Sequence, residues 1–287
     1  MRKFLLLLLC AGFIFCIHAQ NKIANDEAIE SFWKQTREKL AGVPVGATVT
    51  AINEPLPYKS YFITVKSLND VTVAGYLSVP VQGEAKAQPW PVLVTTSGYS
   101  GNGQGVQLNE CQRGYIVLQV YPRGQGVSSN YFQIASDKLS TKLHSPEGYY
   151  YQGAYADIIR MIDYIVTRPD VDTSRIAMVG TSQAGGIALA VAALDSRIKA
   201  VVAHVPFLCN IRMAATMPSL AKTLLDRAGA NNEKSFNTLD YFDPFILASR
   251  IKVPVFMTAG GKDTLCPAAT IRSVYDRITS HINFTRI

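Results

Sequence analysis

Short apolar runs alternate with helical patterns along most of this chain, and this alternation constrains the fold more than any other feature. The strand candidates are Pro91–Thr95, Tyr115–Val120, Ile176–Val179, Val201–Val205 and Val253–Met257. Ile158, Met161, Ile162 and Ile165 recur at the spacing of one helix face, and Ile187–Leu194 predicts a second helix. Strands that alternate with helices form a mostly parallel sheet with helices on both faces. We therefore predict an α/β fold.

A different pattern precedes this region. Asp26–Leu40 predicts an amphipathic helix, and Ala47–Ile52, Ser60–Lys66 and Val71–Val79 show the partial alternation of half-exposed antiparallel strands. Within the alternating region, Asn210–Ser249 is helical and interrupts the order of the strands. We expect this segment to form a helical insertion over one end of the sheet, where binding surfaces often lie.

The composition fits one large domain. The chain has 287 residues, of which 48% are hydrophobic and 17% are charged, so a sizeable core can form. We predict a single domain over residues 20–287, with the first helix and the antiparallel strands in residues 20–80 and the core in residues 81–287. The net charge of +7 is scattered, and no three Lys or Arg residues are adjacent. This excludes the basic stripe of a nucleic-acid-binding protein.

The first residues have the pattern of a secretory signal. Met1–Lys3 is basic, Phe4–Ile17 is apolar, and Ala19 offers a small residue before a cleavage site. The apolar run is short for a membrane span. We expect residues 1–19 to be removed and the protein to be exported to the periplasm or the medium, with no membrane attachment after cleavage. An uncleaved anchor is the alternative.

Three cysteines, Cys111, Cys209 and Cys266, follow the predicted signal. Their spacing matches no zinc or redox motif. One interpretation is that all three are buried, inert thiols. The other is one disulfide with a leftover thiol, since export permits oxidation.

A tight turn follows the strand candidate Ile176–Val179 and precedes the helix Ile187–Leu194. The turn carries Ser182 among small residues, which are Gly180, Ala184 and Gly185. A strand, a tight turn and a helix in this order are the context of a nucleophile elbow, which exposes a serine at the carboxyl end of the strand. Ala184 departs from the strict G-x-S-x-G pattern. An ordinary glycine-rich turn, which binds a phosphate or nothing, is the alternative.

Two backbone N–H groups are candidates for binding a developing oxyanion. Gln183 begins the helix after Ser182, where free N–H groups and the helix dipole favour negative charge. The loop after Pro91–Thr95 carries Tyr99, and its N–H is the second candidate. A plain glycine turn is the alternative for this loop.

A polar turn, Arg123-Gly124-Gln125, follows the strand candidate Tyr115–Val120. Because the turn lies at the carboxyl end of a strand, we expect it near the rim of the same site. The guanidinium of Arg123 offers several donors in a fixed fork and suits a role in bracing loops. We predict a structural role near the site for Arg123, Gly124 and Gln125.

Together these motifs resemble those of carbohydrate esterase family 7, the acetyl xylan esterases and cephalosporin C deacetylases. The matching segments are Arg123-Gly124-Gln125, Gly180–Gly185, Gly98-Tyr99, Phe32-Trp33, Tyr149–Tyr151 and Val205–Cys209. The likeness extends from about residue 26 to the end of the chain. There are two departures: Ala184 replaces a glycine of the family, and Ser97 replaces a histidine.

The resemblance implies an α/β-hydrolase fold and a serine esterase. Such an enzyme removes acetyl groups from xylan-type oligosaccharides or similar small acetate esters through an acyl-enzyme on Ser182. No metal and no organic cofactor is implied, and the ring-shaped hexamers of the family imply a homo-oligomer. Two alternatives stay open: a peptidase or dienelactone-type hydrolase on the same fold, and a catalytically dead carbohydrate-binding relative.

The resemblance also implies a catalytic carboxylate. In the family it lies in a Gly-x-x-Asp turn before Cys-Pro, and here Gly260 and Asp263 precede Cys266 in that arrangement. Asp263 would orient a histidine and stabilise the imidazolium. A helix-capping role for Asp263 is the alternative, and Asp240 and Asp243 are rival carboxylates in less suitable contexts.

The general base is harder to assign. The fold requires the order Ser, Asp, His along the chain. The histidines are His18, His144, His204 and His281, and only His281 follows Asp263. We expect His204 to be a core residue of a strand, and we place His281 between the helix predicted over Ala268–Ile278 and a last strand at Asn283–Ile287. The catalytic histidine of the family comes after that strand. We therefore expect the chain to end before its general base and its closing helix. His281 as a substitute base is the alternative.

This expectation predicts that the chain of 287 residues hydrolyses a chromogenic acetate ester little faster than its Ser182→Ala variant. The reason is that loss of a triad base costs roughly 10⁴ or more in rate. Hydrolysis by the unchanged chain well above that of the variant would contradict it. Sequencing the gene beyond the codon for Ile287 is an independent check.

Overall fold

A nine-stranded sheet runs through the computed structural model, which describes residues 25–53, 58–81, 89–101, 108–280 and 282–286. The predicted signal peptide lies outside the described residues, and so does His281. No helix within these ranges is long and apolar enough to cross a bilayer.

The strands are β1 Thr48–Ile52, β2 Tyr58–Lys66, β3 Thr72–Pro80, β4 Trp90–Thr96, β5 Ile116–Tyr121, β6 Val171–Thr181, β7 Ile198–His204, β8 Val255–Ala259 and β9 Ile282–Arg286. Their order across the sheet is β1-β2-β3-β5-β4-β6-β7-β8-β9. The first three neighbouring pairs, up to β3–β5, are antiparallel, and every later pair is parallel. The predicted α/β fold with a mostly parallel sheet is confirmed.

Burial is uneven among the antiparallel strands. The edge strand β1 is exposed along most of its length, whereas seven of the nine residues of β3 are buried. β3 lies between β2 and β5 in the sheet. The predicted half-exposed pattern therefore holds for β2 alone.

The described helices are α1 Asp26–Ala41, α2 Leu108–Gln112, α3 Tyr150–Ile165, α4 Gln183–Leu194, α5 Ile211–Ala214, α6 Leu220–Arg227, α7 Glu233–Leu239, α8 Pro244–Leu247 and α9 Ala268–Tyr275. Side chains of Asn25, Ser219, Asn232 and Asp243 accept hydrogen bonds from N–H groups in the first turns of α1, α6, α7 and α8. The segment predicted as a helical insertion forms α5 to α8.

Helix α3 is buried almost all round, although the sequence predicted a single apolar face. Fourteen of its sixteen residues are buried. Its buried polar side chains have partners inside the protein: Asp157 pairs with Arg123, and Arg160 donates to the carbonyl of Leu40. Because these groups need no water, α3 can lie between the sheet and α1 without exposing a polar face.

An aromatic cluster joins α1, α3 and the insertion. The ring of Trp33 stacks on Tyr155 with centroids 5.8 Å apart and meets the edge of Phe242 at 5.5 Å. Both polar atoms of the pair are satisfied, because Trp33 Nε1 donates to the carbonyl of Tyr241 at 2.8 Å and the Tyr155 hydroxyl donates to that of Phe242 at 2.9 Å. These bonds fix α1 and the insertion to α3.

The cysteines after the predicted signal are buried and free in the structure. Burial raises the pKa of Cys111 to about 12, so this thiol stays protonated and unreactive at neutral pH. The interpretation as buried thiols is confirmed.

Asp243 is a buried carboxylate at the start of α8. It accepts hydrogen bonds from the N–H groups of Asn210, Ile211 and Phe245 at 2.8, 2.6 and 2.8 Å. These donors favour the ionised form, but burial outweighs them and raises the pKa of Asp243 to about 7.

This raised pKa predicts a pH dependence of stability. The folded protein holds the Asp243 proton more tightly than the unfolded chain does. The stabilisation is therefore complete below about pH 4 and is lost as the pH rises through about 7. We expect the free energy of unfolding of the wild type, relative to Asp243→Asn, to fall over this range by up to about 1.4 kcal/mol per pH unit. Urea denaturation of both proteins across the range measures this difference. A difference that does not change with pH would contradict the prediction.

Candidate active site

The carboxyl ends of four parallel strands bring the predicted site residues to one edge of the sheet. The loop after β4 carries Tyr99, the turn after β5 carries Arg123, Ser182 follows β6, and Asp263 follows β8. β4 pairs with both β5 and β6, and β7 separates β6 from β8. The sheet order therefore places the Tyr99 loop between the Arg123 turn and the turn of Ser182.

Ser182 occupies a strained turn between β6 and α4. Its backbone has φ of 57° and ψ of −123°, a conformation that non-glycine residues rarely adopt. Its N–H donates to the carbonyl of His204 at 2.9 Å, and its carbonyl accepts from the N–H groups of Gly186 and Phe207 at 3.1 and 2.9 Å. These bonds to the helix, to β7 and to the loop after β7 hold the turn in its strained form.

Small residues make this turn possible. A Cβ on Gly180 would lie 2.4 Å from the backbone carbon of Ala184 and 2.7 Å from its Cβ. A Cβ on Gly186 would lie 1.9 Å from the carbonyl oxygen of Phe207. The methyl group of Ala184 is buried and fits because Gly180 has no Cβ to meet it, so Gly180 must remain glycine.

The Tyr99 loop is attached to the turn by the side chain of Gln183. The amide Nε2 of Gln183 donates to the carbonyl oxygens of Ser97 and Gly98, both at 3.1 Å. The carbonyl of Gly98 and the N–H of Tyr99 belong to one planar peptide group and point in opposite directions. The bond from the Gln183 side chain therefore directs the Tyr99 N–H away from that side chain. The backbone N–H of Gln183 lies in the first turn of α4, where N–H groups have no carbonyl partner within the helix.

A buried amide network surrounds Gln183. Its Oε1 accepts a hydrogen bond from the Tyr151 hydroxyl at 2.9 Å, and its Nε2 lies 3.1 Å from Gln125 Oε1. Gln125 Oε1 also accepts from the Ser97 hydroxyl. Gln183, Gln125, Ser97 and Tyr151 are each at most 2% exposed. The sequence interpretation used only the backbone of Gln183 and missed this role of its side chain.

Arg123 braces the neighbouring turn through a buried ion pair. Its Nε and Nη2 donate to the two carboxylate oxygens of Asp157 at 3.0 and 2.7 Å, and its Nη2 also donates to the carbonyl of Leu68 at 3.2 Å. Gly124 has φ of +71°, and a Cβ there would lie 2.1 Å from the Ile134 side chain. These contacts fit the predicted structural role, although the sequence interpretation did not find Asp157.

Asp263 and Cys266 belong to the turn between β8 and α9. Asp263 Oδ1 accepts from the N–H groups of Leu265 and Cys266 at 2.8 and 2.9 Å, so this carboxylate does cap its own turn. Burial and the Asp263 charge raise the pKa of Cys266 to about 12, against the opposing effect of a hydrogen bond between its thiol and Ser182. The interaction of the Cys266 thiol with Ser182 places the turn that carries Asp263 next to the turn that carries Ser182.

The rival side chains have other partners. Asp240 pairs with Arg212 at 2.9 Å, and Asp243 caps α8. His204 Nδ1 lies 3.3 Å from Thr258 Oγ1. Among the residues that the structure describes, no imidazole hydrogen-bonds to the side chain of Ser182 or Asp263.

The mostly parallel sheet, the strained turn after β6 and the site at the carboxyl edge define an α/β-hydrolase fold. The fold is also that of the solved structures that the chain matches, which include esterases and peptidases. A family model described as acetyl xylan esterase matches residues 18–285. The chain therefore belongs to the acetyl xylan esterase family.

Individual relatives agree with this membership. Acetyl esterase Axe7A of Xylanibacter ruminicola is 26% identical over an alignment of 280 positions, and the match covers 89% of this chain and 61% of that protein. The chain thus spans about three fifths of the length of this curated relative. The structure of an acetyl xylan esterase from Paenibacillus sp. R4 has a TM-score of 0.83 and 29% identity, and the match covers 92% of this chain and 89% of that one.

More distant structures show the fold alone. Acetyl xylan esterase 1 from Thermoanaerobacterium matches with a TM-score of 0.80 and 24% identity, over 92% of this chain and 88% of that one. An acylaminoacyl peptidase from Pyrococcus horikoshii matches with a TM-score of 0.61 and 16% identity, over 81% of this chain and 37% of that one.

The close contact at Gly180 predicts a large effect of one methyl group. Gly180→Ala places a Cβ against the backbone of Ala184, so we expect a loss of at least about 2 kcal/mol of stability. Gly42→Ala is the matched control, because a Cβ there meets only ordinary contacts of 3.5 Å or more and φ is −70°. Chemical denaturation compares the two variants. Equal stability of Gly180→Ala and Gly42→Ala would contradict the prediction.

Proposed function

We propose that this protein is a serine esterase that removes acetyl groups from xylan-type oligosaccharides or similar small acetate esters. The observation that carries the proposal is the turn of Ser182, held in a strained form at the start of α4, with the Tyr99 loop attached to the next residue. Membership of the acetyl xylan esterase family supports acetyl as the group removed.

The first half of the proposed reaction forms an acetyl-enzyme. Ser182 Oγ attacks the acetyl carbonyl carbon, and negative charge develops on the carbonyl oxygen. The N–H groups of Tyr99 and Gln183 donate hydrogen bonds to this oxygen, and one such donor contributes about 3 kcal/mol to transition-state stabilisation. The bond between the carbonyl carbon and the sugar oxygen then breaks, and the sugar leaves with the proton that Ser182 lost.

The second half regenerates the enzyme. Water attacks the acetyl-serine, the same two N–H groups bind the oxyanion, and acetate leaves as Ser182 regains its proton. We assign the proton transfers to a histidine outside the described residues, with Asp263 as its partner. The turn N–H groups occupy Asp263 Oδ1, and Oδ2 is the atom that we assign to an imidazole N–H.

Export and self-association are parts of the same proposal. The predicted signal in residues 1–19 supports export to the periplasm or the medium, where the enzyme would have access to acetylated polysaccharides. The family resemblance supports a homo-oligomer.

The test measures acetate released from acetylated xylooligosaccharide by NMR. It uses the whole gene product, so that any residues that follow Ile287 in the natural protein are present. We expect Ser182→Ala to lose at least about 10³-fold in rate, because the acyl-enzyme cannot form. Ser174→Ala, which changes an exposed serine at the start of β6, is the matched control and should retain the wild-type rate.

Each alternative predicts a different result. Cleavage of a peptide amide in preference to the acetate ester would favour a peptidase. Binding of the oligosaccharide without acetate release would favour a catalytically dead carbohydrate-binding protein. Equal acetate release by the wild type and Ser182→Ala would contradict the serine mechanism.

A further inference from the structure

The side chain of Tyr99 is bound at its hydroxyl group. The hydroxyl donates to Asp137 Oδ1 at 2.5 Å and accepts from the N–H of Leu139 at 3.1 Å. The same N–H lies 2.9 Å from Asp137 Oδ1. The carboxylate and the Leu139 N–H together fix the position of the phenol oxygen. Burial and the adjacent carboxylate raise the pKa of Tyr99, so the hydroxyl remains a donor.

The ring of Tyr99 is also held on its face and at its edge. Lys138 Nζ lies 4.5 Å from the ring centroid, within the range of a cation–π contact. Phe207 meets the ring at 90° with centroids 5.5 Å apart. Phe207 donates its N–H to the carbonyl of Ser182, so one side of this ring contact is fixed to the predicted nucleophile.

The turn that carries Asp137 is itself anchored. The carbonyl of Asp137 accepts from the N–H groups of Ser140 and Thr141 at 3.2 and 2.8 Å. Leu139 is fully buried, and its carbonyl accepts from the Tyr149 hydroxyl at 2.8 Å. The turn that carries Asp137 is therefore fixed to the start of α3 through the hydrogen bond from Tyr149.

Contacts at both ends fix the peptide group between Gly98 and Tyr99. The carbonyl oxygen of Gly98, which is one end of this planar group, accepts from the Gln183 side chain at 3.1 Å and from the N–H of Gly101 at 3.0 Å. These two bonds act at the oxygen end, so a rotation of the plane about the held oxygen would still move the Tyr99 N–H out of line. The bound phenol ring fixes the other end, at the Tyr99 Cα.

We propose that Asp137 is a positioning residue for the oxyanion donor at Tyr99. It acts through the tyrosine hydroxyl and touches no reacting atom. The inference rests on the proposed function, because it assigns to Asp137 the alignment of an N–H group that stabilises the transition state. Substrate binding in the ground state does not require this alignment.

The kinetic test compares Asp137→Ala, Asp137→Asn and Tyr99→Phe in the whole gene product with an acetate ester. We expect Asp137→Ala and Tyr99→Phe each to lower kcat by roughly 10-fold with KM little changed, since a hydrogen bond to a charged acceptor is lost. Asp137→Asn should recover most of the rate, because its Oδ1 still accepts. The kcat of the variant that combines Asp137→Ala with Tyr99→Phe should be no lower than that of either single variant, because both substitutions remove the same hydrogen bond.

A second measurement does not depend on activity. Hydrogen exchange at the Tyr99 amide should be faster in Asp137→Ala than in the wild type. Asp172→Ala is the matched control, since Asp172 caps a turn at the start of β6 by accepting from the Ser174 N–H at 2.9 Å. This control should change neither Tyr99 exchange nor kcat.

The outcomes distinguish failure of the proposed esterase function from failure of the positioning role of Asp137. If the wild type and Ser182→Ala release acetate equally, the proposed function fails, while amide exchange still decides whether Asp137 fixes Tyr99. If the wild type is active but Asp137→Ala leaves kcat and Tyr99 exchange unchanged, the positioning role of Asp137 is wrong. A rate for Asp137→Asn as low as that for Asp137→Ala would also overturn it.

Discussion

One side-chain amide determines how the two parts of the candidate site meet. Gln183 Nε2 joins the turn after β6 to the carbonyl oxygens of Ser97 and Gly98, while the backbone of Gln183 begins α4. Both proposed oxyanion donors therefore depend on this residue, because its backbone supplies one and its side chain orients the other. A buried amide that loses a partner costs about 1–3 kcal/mol, so its bond from Tyr151 matters too. Because Tyr151 belongs to α3, the position of this helix helps to set the orientation of the Gln183 side chain.

Local patterns were sufficient to predict the parts of the site that are formed by neighbours in the chain. The strand, the turn and the helix around Ser182 follow one another, and the demand for small residues at Gly180 is local. The parallel direction of the core strands also follows from the alternation of strands and helices, and parallel strands place the turns at their carboxyl ends at one edge of the sheet. These rules predicted the fold and the edge at which the candidate residues gather.

The partners that orient those residues could not be predicted in the same way. Gln183 reaches Ser97 across 86 positions, Arg123 pairs with Asp157 across 34, and Tyr99 meets Asp137 across 38. No periodicity links such positions. The burial of α3 was missed for a related reason: its polar side chains look solvent-facing in the sequence, but Asp157 finds its partner inside the protein.

The aromatic cluster on α1 has a consequence for the order of folding. The bond from Trp33 to Tyr241 spans 208 positions, so the first helix cannot complete its contacts until most of the chain has been synthesised. Contacts of such large separation close long loops and slow the folding of a domain. Until then Phe32 and Trp33 lack their contacts with Tyr241 and Phe242, even when Tyr155 is already present, and this apolar surface makes the nascent chain prone to association with other chains.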